Sequence, residues 1–284
     1  MTGESTGMRV KVALLTCVAM LAFAGNSLLA RMAMGTTSID AASFTAIRIA
    51  SGALTLLAIL GFRRERPGRL RDGWLPAAML FTYAATYSFA YRHMDTGVGA
   101  LVLFAAVQLL MISWGIARGE RTSWIGLLVA CAGLVVFLAP GASAPPLGAA
   151  ALMALAGFAW GAFSLSGRPG GNPLAGTALS FLLAVPLTLV LMLFRYRSLH
   201  LDPTGVVYAL VSGVLTSGIG YVIWYWVRVR LSAISASSVQ LSVPVISAVM
   251  GVLALGEQII ARSAVSALFV LGGIGAVLLT ARRR

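Results

Sequence analysis

Apolar runs of about 20 residues recur along the whole chain, and this pattern limits what the chain can fold into more than any other feature. A helix of that length spans the hydrocarbon core of a bilayer. Only 10% of the 284 residues are charged, whereas a soluble domain carries about 25%. The mean hydropathy is +0.93. The sequence therefore predicts an all-α membrane protein that forms one integral membrane domain.

Ten transmembrane helices are predicted, and polar or turn-forming connections separate them. Many of the 21 Lys and Arg residues lie in segments predicted to be on the same side of the membrane as the N-terminus, including those in 63–71 and 282–284. Because Lys and Arg are enriched in cytoplasmic loops, we expect a multi-pass protein of the bacterial cytoplasmic (inner) membrane with both termini cytoplasmic. The predicted spans are 12–31, 41–62, 74–92, 97–117, 124–139, 147–167, 174–194, 205–227, 233–255 and 263–281.

The net charge of +13 would suggest a nucleic-acid partner in a soluble protein. Here the basic residues flank apolar runs, so the lipid bilayer is the predicted partner and nucleic acid is excluded. The sequence is compatible with a monomer. It contains no His-Glu-x-x-His run, no pair of aspartates within a span and no phosphate-binding Gly-Lys-Ser/Thr loop. We therefore predict that the protein is not an enzyme and uses no metal or cofactor.

The two halves of the chain show a weak internal repeat. Shifting the sequence so that Gly25 meets Gly161 also brings Arg92 onto Arg228 and Gly115 onto Gly251. The repeat divides the chain into residues 1–140 and 141–284, with five helices each. Because five is odd, the second half enters the membrane in the opposite sense. Such inverted repeats are typical of secondary transporters.

Several short motifs stand out within the predicted spans and just after the ninth of them. They are Arg48, Ala159-Trp160-Gly161, Gly220, Tyr221, Trp224, Tyr225, Gln240-Leu241, Pro244 and Leu255-Gly256-Glu257. These motifs resemble the EamA-type members of the drug/metabolite transporter superfamily, and among them most closely the amino-acid exporters, including those for aromatic amino acids. The resemblance implies a secondary transporter that exports small organic solutes by alternating access, through a central cavity lined by helices 1, 3, 4, 6, 8 and 9. A drug or nucleotide-sugar carrier is the alternative.

Aromatic residues within the spans are the first candidates for substrate binding. Trp160 lies well inside its span, so a position in the interfacial aromatic belt does not explain it. Tyr83, Tyr87 and Tyr91 fall on one helical face, and Tyr91, near the outer end of its span, is also a candidate for the belt. The alternative for all of these rings is packing between helices. The aromatic candidates are Trp160, Tyr83, Tyr87, Phe104, Tyr221 and Trp224.

Polar residues at depth are the second group of candidates. Asn26, Gln108, Ser237 and Gln240 could bind substrate, or they could form the interhelical hydrogen bonds common in membrane bundles. Arg48 is the ionisable residue clearly within a span, which favours a functional role such as binding a substrate carboxylate. The alternatives are snorkelling to the interface and pairing with backbone carbonyls. Because no acidic residue or histidine lies deep in a span, we expect facilitated movement down the substrate gradient.

Overall fold

The computed structural model describes residues 3–68, 70–117, 123–138, 145–166, 172–228, 230–231 and 239–280. These residues form helices joined by short connections, with no strand among them. The helices are α1 (Gly3–Thr36), α2 (Ala41–Phe62), α3 (Leu70–Ala90), α4 (Thr96–Ala117), α5 (Trp124–Leu138), α6 (Leu147–Leu165), α7 (Pro173–Phe194), α8 (Pro203–Arg228), α9 (Ser242–Leu255) and α10 (Ala261–Thr280).

Within the described ranges, six helical segments are long and apolar enough to cross a membrane. They are Gly7–Thr36, Ala41–Phe62, Thr96–Ala117, Leu147–Leu165, Pro173–Phe194 and Pro203–Arg228. The prediction of an all-helical, strongly apolar protein is therefore confirmed, and ten membrane crossings stay a prediction. Part of the ninth predicted span, residues 233–238, lies outside the described residues.

Side-chain caps fix where three of the helices begin. The Asp40 carboxylate accepts hydrogen bonds from the backbone N–H groups of Ala42 and Ser43 at the start of α2. Asn172 and Asp202 cap α7 and α8 in the same way. Such caps satisfy N–H groups that have no partner within the helix. Asp40 also accepts from the backbone N–H of His200 at 2.8 Å, which ties the connection before α2 to the one before α8.

The helices pack in a pattern that crosses between the two halves of the chain. Helix α1 packs against α8 and α9, and α6 packs against α3 and α4. Helix α2 packs against α7 and α8, α3 also packs against α7, and α5 packs against α10. Because α1 belongs to the first half and α6 to the second, each of these two helices lies among helices of the other half.

Helix α8 changes its hydrogen-bonding register in the middle. Residues Ser212–Ile219 form a π-helical segment between two α-helical segments. In a π-helix the hydrogen bonds join residues five apart, so Ser212 and Ser217 approach the same face. A Cβ atom at Gly213 would overlap the Arg48 carbonyl oxygen of α2. The small residue thus allows α2 and α8 to approach closely at this depth.

A second close approach joins α6 to α4. A Cβ atom at Gly157 would overlap the carbonyl oxygen of Leu103 and lie 2.6 Å from the Cβ of Ala106. Small residues let membrane helices approach until their backbones touch. This approach places Trp160, one turn further along α6, beside the middle of α4.

We expect Gly157→Ala to destabilise the protein, because the added methyl group must push α4 and α6 apart. Overpacking of this kind costs about 1–3 kcal/mol. Gly148→Ala is the matched control in the same helix, since no atom lies within 4 Å of its added Cβ. Thermal unfolding of the two purified variants in detergent measures the difference. Equal melting temperatures would contradict the close approach of α4 and α6.

Candidate functional site

A small cavity lies at the centre of the helix bundle, between α1, α3, α4, α6 and α8. Its volume is about 20 Å³, which is room for one water molecule. Ligand-binding pockets usually measure about 300–1,000 Å³, so the cavity has no room for an organic solute in this conformation. Its walls are Phe23, Asn26, Ser27, Tyr83, Tyr87, Leu103, Phe104, Trp160, Thr216, Ser217 and Tyr221.

Trp160 is the centre of the aromatic part of the wall. Its ring centroid lies 5.1 Å from that of Tyr83, 5.2 Å from that of Tyr221 and 5.6 Å from that of Phe163. Phe23 closes the group at 6.4 Å. These spacings are those of interacting aromatic pairs. The four helices α1, α3, α6 and α8 therefore meet through ring contacts at one depth.

Asn26 is the centre of the polar part of the wall. Its amide nitrogen donates to the hydroxyl oxygens of Tyr83 at 3.2 Å and Tyr87 at 3.0 Å. Its amide oxygen accepts from the hydroxyls of Ser212 at 2.7 Å and Thr216 at 3.2 Å. The side chain therefore uses both ends of its amide to join α1, α3 and the π-helical segment of α8.

Arg48 lies against this polar wall and is only 1% exposed. Its Nε donates to the Ser217 hydroxyl at 3.2 Å, and its Nη2 donates to the Tyr83 hydroxyl at 3.0 Å. The guanidinium carbon lies 5.2 Å and 5.1 Å from the ring centroids of Tyr83 and Tyr87. Snorkelling is wrong as a description of Arg48, because the side chain points into the bundle centre.

The structure brings seven of the eleven predicted site residues together. Asn26, Tyr83, Tyr87, Phe104, Trp160 and Tyr221 line the cavity, and Arg48 contacts two wall residues. Their role in substrate binding stays a prediction.

The other four predicted residues are placed differently. Trp224 packs edge-on against Phe23 at 5.7 Å, behind the wall. Gln108 is buried without a hydrogen-bond partner for its amide, and it does not line the cavity. Gln240, on the segment before α9, is half-buried away from the cavity, while Ser237 lies outside the described residues. Among the described residues, none from the ninth predicted span reaches the cavity wall.

Sequence reasoning missed five wall residues, of which two are apolar and three are small and polar. They are Phe23, Leu103, Ser27, Thr216 and Ser217. It also missed Ser212, which does not line the cavity but donates to Asn26. The signal that could have found the group in α8 is the concentration of hydroxyl residues within one apolar span.

Tyr91 does not lie in the interfacial belt. It is fully buried, and its hydroxyl donates to the Thr96 carbonyl at 3.3 Å.

One end of the bundle, the Arg31 end, is closed by a charged network. Arg31 of α1 forms ion pairs with Asp95 at 3.2 Å and with Glu257, just after α9, at 3.3 Å. The Glu257 carboxylate also accepts from the backbone N–H of Thr96 at 2.9 Å and from its hydroxyl at 3.0 Å. Glu257 thus caps the N-terminus of α4 from the connection after α9, at a position where the helix dipole favours a negative charge.

The opposite end, the Arg66 end, holds a larger open cavity of about 550 Å³. Its walls include Arg66, Asp72, Asn172, Phe163 and Tyr225. Phe163 touches Trp160, and the Tyr225 ring lies 6.4 Å from that of Tyr221. We call this larger cavity the vestibule. A barrier of aromatic rings therefore separates the vestibule from the central cavity.

We expect Glu257→Gln to loosen the Arg31 end, because a neutral amide loses the ion pair and its charge-assisted hydrogen bonds, which are about twice as strong as neutral ones. A cysteine placed at Ser27 in a Cys17→Ser, Cys131→Ser background reports the opening. In detergent, this cysteine should react several-fold faster with a charged thiol reagent in the Glu257→Gln variant than in the parent.

Asp95→Asn is the matched control for this variant, since Asp95 is half exposed and makes a single ion pair to Arg31. Exposed ion pairs contribute about 0–1 kcal/mol, so the control should change the labelling rate little. Equal rates in the parent and in Glu257→Gln would show that the network does not hold this end closed.

Comparisons with known proteins agree with this architecture. An uncharacterized protein of Pseudomonas aeruginosa, PA1977, is 52% identical over 268 residues, which cover 93% of each chain. One solved protein crystal structure is 18% identical and aligns with a TM-score of 0.65 over 95% of this chain and 98% of that one, so the two share a fold. Residues 147–279 match the model of the EamA-like transporter family. Residues 147–279 therefore form a domain of the EamA-like transporter family, which belongs to the drug/metabolite transporter superfamily of membrane transporters.

Proposed function

We propose that this protein is a secondary transporter that exports small organic solutes, aromatic amino acids among them, by alternating access through the central cavity. The observation that carries the proposal is the central cavity, whose walls combine aromatic rings with a hydrogen-bonded polar cluster. These polar groups bind one another while the cavity is small. They need another partner when its walls separate, because buried polar groups destabilise a membrane protein unless they are paired.

The packing pattern supports two inverted five-helix repeats over residues 1–140 and 141–284. In such an arrangement α1 corresponds to α6, α3 to α8, and α4 to α9. The contacts of α1 with α8 and α9 then mirror those of α6 with α3 and α4. The contacts of α2 with α8 likewise mirror those of α7 with α3. Two equivalent halves can exchange inward-open and outward-open shapes around a central site.

The charge distribution supports an orientation with the Arg66 end in the cytoplasm. Arg63, Arg64 and Arg66 cluster in the connection between α2 and α3, as the positive-inside rule expects of a cytoplasmic loop. The vestibule then opens toward the cytoplasm, and the Arg31 network closes the outer end. This conformation suits an exporter, which loads its substrate from inside the cell.

The walls support a substrate with an aromatic part. Trp160, Tyr221 and Phe23 offer ring edges and faces on one side of the cavity, and the polar cluster around Asn26 lies on the other. A nucleoside diphosphate sugar carries two phosphate charges, whereas the described cavity wall contacts one buried cation, Arg48. A drug or nucleotide-sugar carrier therefore ranks second.

Counterflow in proteoliposomes tests the proposal. Vesicles loaded with unlabelled phenylalanine should take up labelled phenylalanine faster than protein-free vesicles. Trp160→Ala should weaken apparent affinity by about two- to tenfold, since a ring–ring contact contributes about 0.5–1.5 kcal/mol beyond area burial. Trp160→Phe keeps a ring, so its apparent affinity should lie between those of the parent and of Trp160→Ala.

Trp124→Ala is the control, because Trp124 is 62% exposed at the start of α5, away from the cavity. It should leave uptake unchanged. No counterflow of any aromatic amino acid by the parent protein would contradict the proposed substrate class. An unchanged affinity in a well-folded Trp160→Ala variant would instead show that Trp160 serves packing alone.

A further inference from the structure

Arg48 is a buried cation without an acidic partner in the described chain. The two ion pairs that join one described residue to another both involve Arg31. The guanidinium of Arg48 is held by two hydroxyl groups, from Ser217 and Tyr83, and lies near two tyrosine rings. An arginine cannot release its proton in a protein, so this position carries a permanent positive charge.

The hydrogen bonds of the guanidinium are incomplete. Nε and Nη2 each donate to a hydroxyl oxygen, whereas the fully buried Nη1 has no partner. A purely structural arginine at this depth would be expected to pair with a carboxylate or to satisfy all its donors, because leaving a buried charged donor unpaired is costly. The free Nη1 therefore points to a partner other than the described residues of the chain.

The groups around Arg48 have a surplus of donors. The hydroxyls of Tyr83 and Ser217 accept from the guanidinium, which leaves each with its own proton to donate. The acceptor in this cluster that could compete for them, the Asn26 amide oxygen, is already engaged by Ser212 and Thr216. A cluster of one cation and spare hydroxyl protons is complementary to an oxyanion.

The cavity offers nothing equivalent for a positive group. Among its described wall residues there is no aspartate or glutamate. The tyrosine rings that could attract an ammonium group already lie about 5 Å from the guanidinium carbon. A zwitterionic ligand would therefore bring its ammonium group into a site that is already positive.

We propose that the substrate binds through a carboxylate to Nη1 of Arg48, and that its ammonium group is dispensable. The preferred ligand is a monocarboxylic acid with an aromatic part, whose single negative charge neutralises the site while its ring packs beside Trp160. This inference rests on the proposed function and specifies the chemical class of its substrate.

Three probes that share one ring and chain separate the two charges of an amino acid. They are phenylalanine, its deaminated form 3-phenylpropionate, and its decarboxylated form phenethylamine. Calorimetric binding to the purified protein in detergent avoids the leakage of these compounds through lipid. We expect 3-phenylpropionate to bind at least as tightly as phenylalanine, and phenethylamine at least about tenfold more weakly.

Variants of Arg48 test whether the charge preference belongs to this residue. Arg48→Gln should weaken binding of both carboxylates by at least about tenfold and leave binding of phenethylamine unchanged or stronger. Arg48→Lys should keep part of the preference, because a lysine retains the charge without the planar fork. Arg92→Gln, which removes an exposed arginine, should bind all three probes as tightly as the parent does. If Arg48→Gln does not fold, Ser217→Ala should reduce the preference for carboxylates by a smaller factor.

A merely structural Arg48 would lower the affinity for all three probes alike, and that result would overturn the inference. Equal binding of phenethylamine and 3-phenylpropionate by the parent protein would also overturn it, while counterflow of phenylalanine would leave the proposed function standing. Binding of none of the three probes, together with no counterflow, would contradict the proposed function and this inference with it.

Discussion

The guanidinium of Arg48 places a permanent charge at the centre of an apolar bundle, and the neighbouring helices are built to accommodate it. Gly213 lets α8 approach α2 so closely that Ser217 reaches Nε. The π-helical register brings Ser212, Thr216 and Ser217 toward the same wall. Tyr83 accepts from both Arg48 and Asn26, so a single hydroxyl joins α1, α2 and α3. The polar cluster and the helix packing therefore depend on each other.

The two ends of the bundle differ in how they are closed. Ion pairs and hydrogen bonds around Glu257 connect α1, α4 and the end of α9 at one end, whereas aromatic rings such as Phe163 and Tyr225 separate the vestibule from the cavity at the other. A cavity of about 20 Å³ cannot hold an organic solute, so binding requires its walls to separate. Because the walls come from both halves of the chain, their separation moves one half relative to the other.

The sequence predicted the helices well, because their signal is a run of apolar residues that needs no knowledge of tertiary contacts. It also predicted Asn26, Tyr83, Trp160 and Arg48 as residues of interest, since polar or bulky groups are conspicuous within such runs. It did not predict the contribution of Ser212 and Ser217, which depends on a π-helical register that leaves no clear mark in the sequence. Nor did it predict that Tyr91 is buried, because depth along a span does not reveal which face of the helix meets a neighbour.

The most direct test of alternating access is a pair of distance measurements across the two ends. Spin labels at the exposed positions His93 and Gln258 report on the Arg31 end, and labels at Arg66 and Ser164 report on the Arg66 end. Both distances are measured with and without phenylalanine. The account predicts reciprocal changes, in which the distance at one end increases as that at the other decreases. Distances that increase together, or that both stay fixed at saturating substrate, would contradict it.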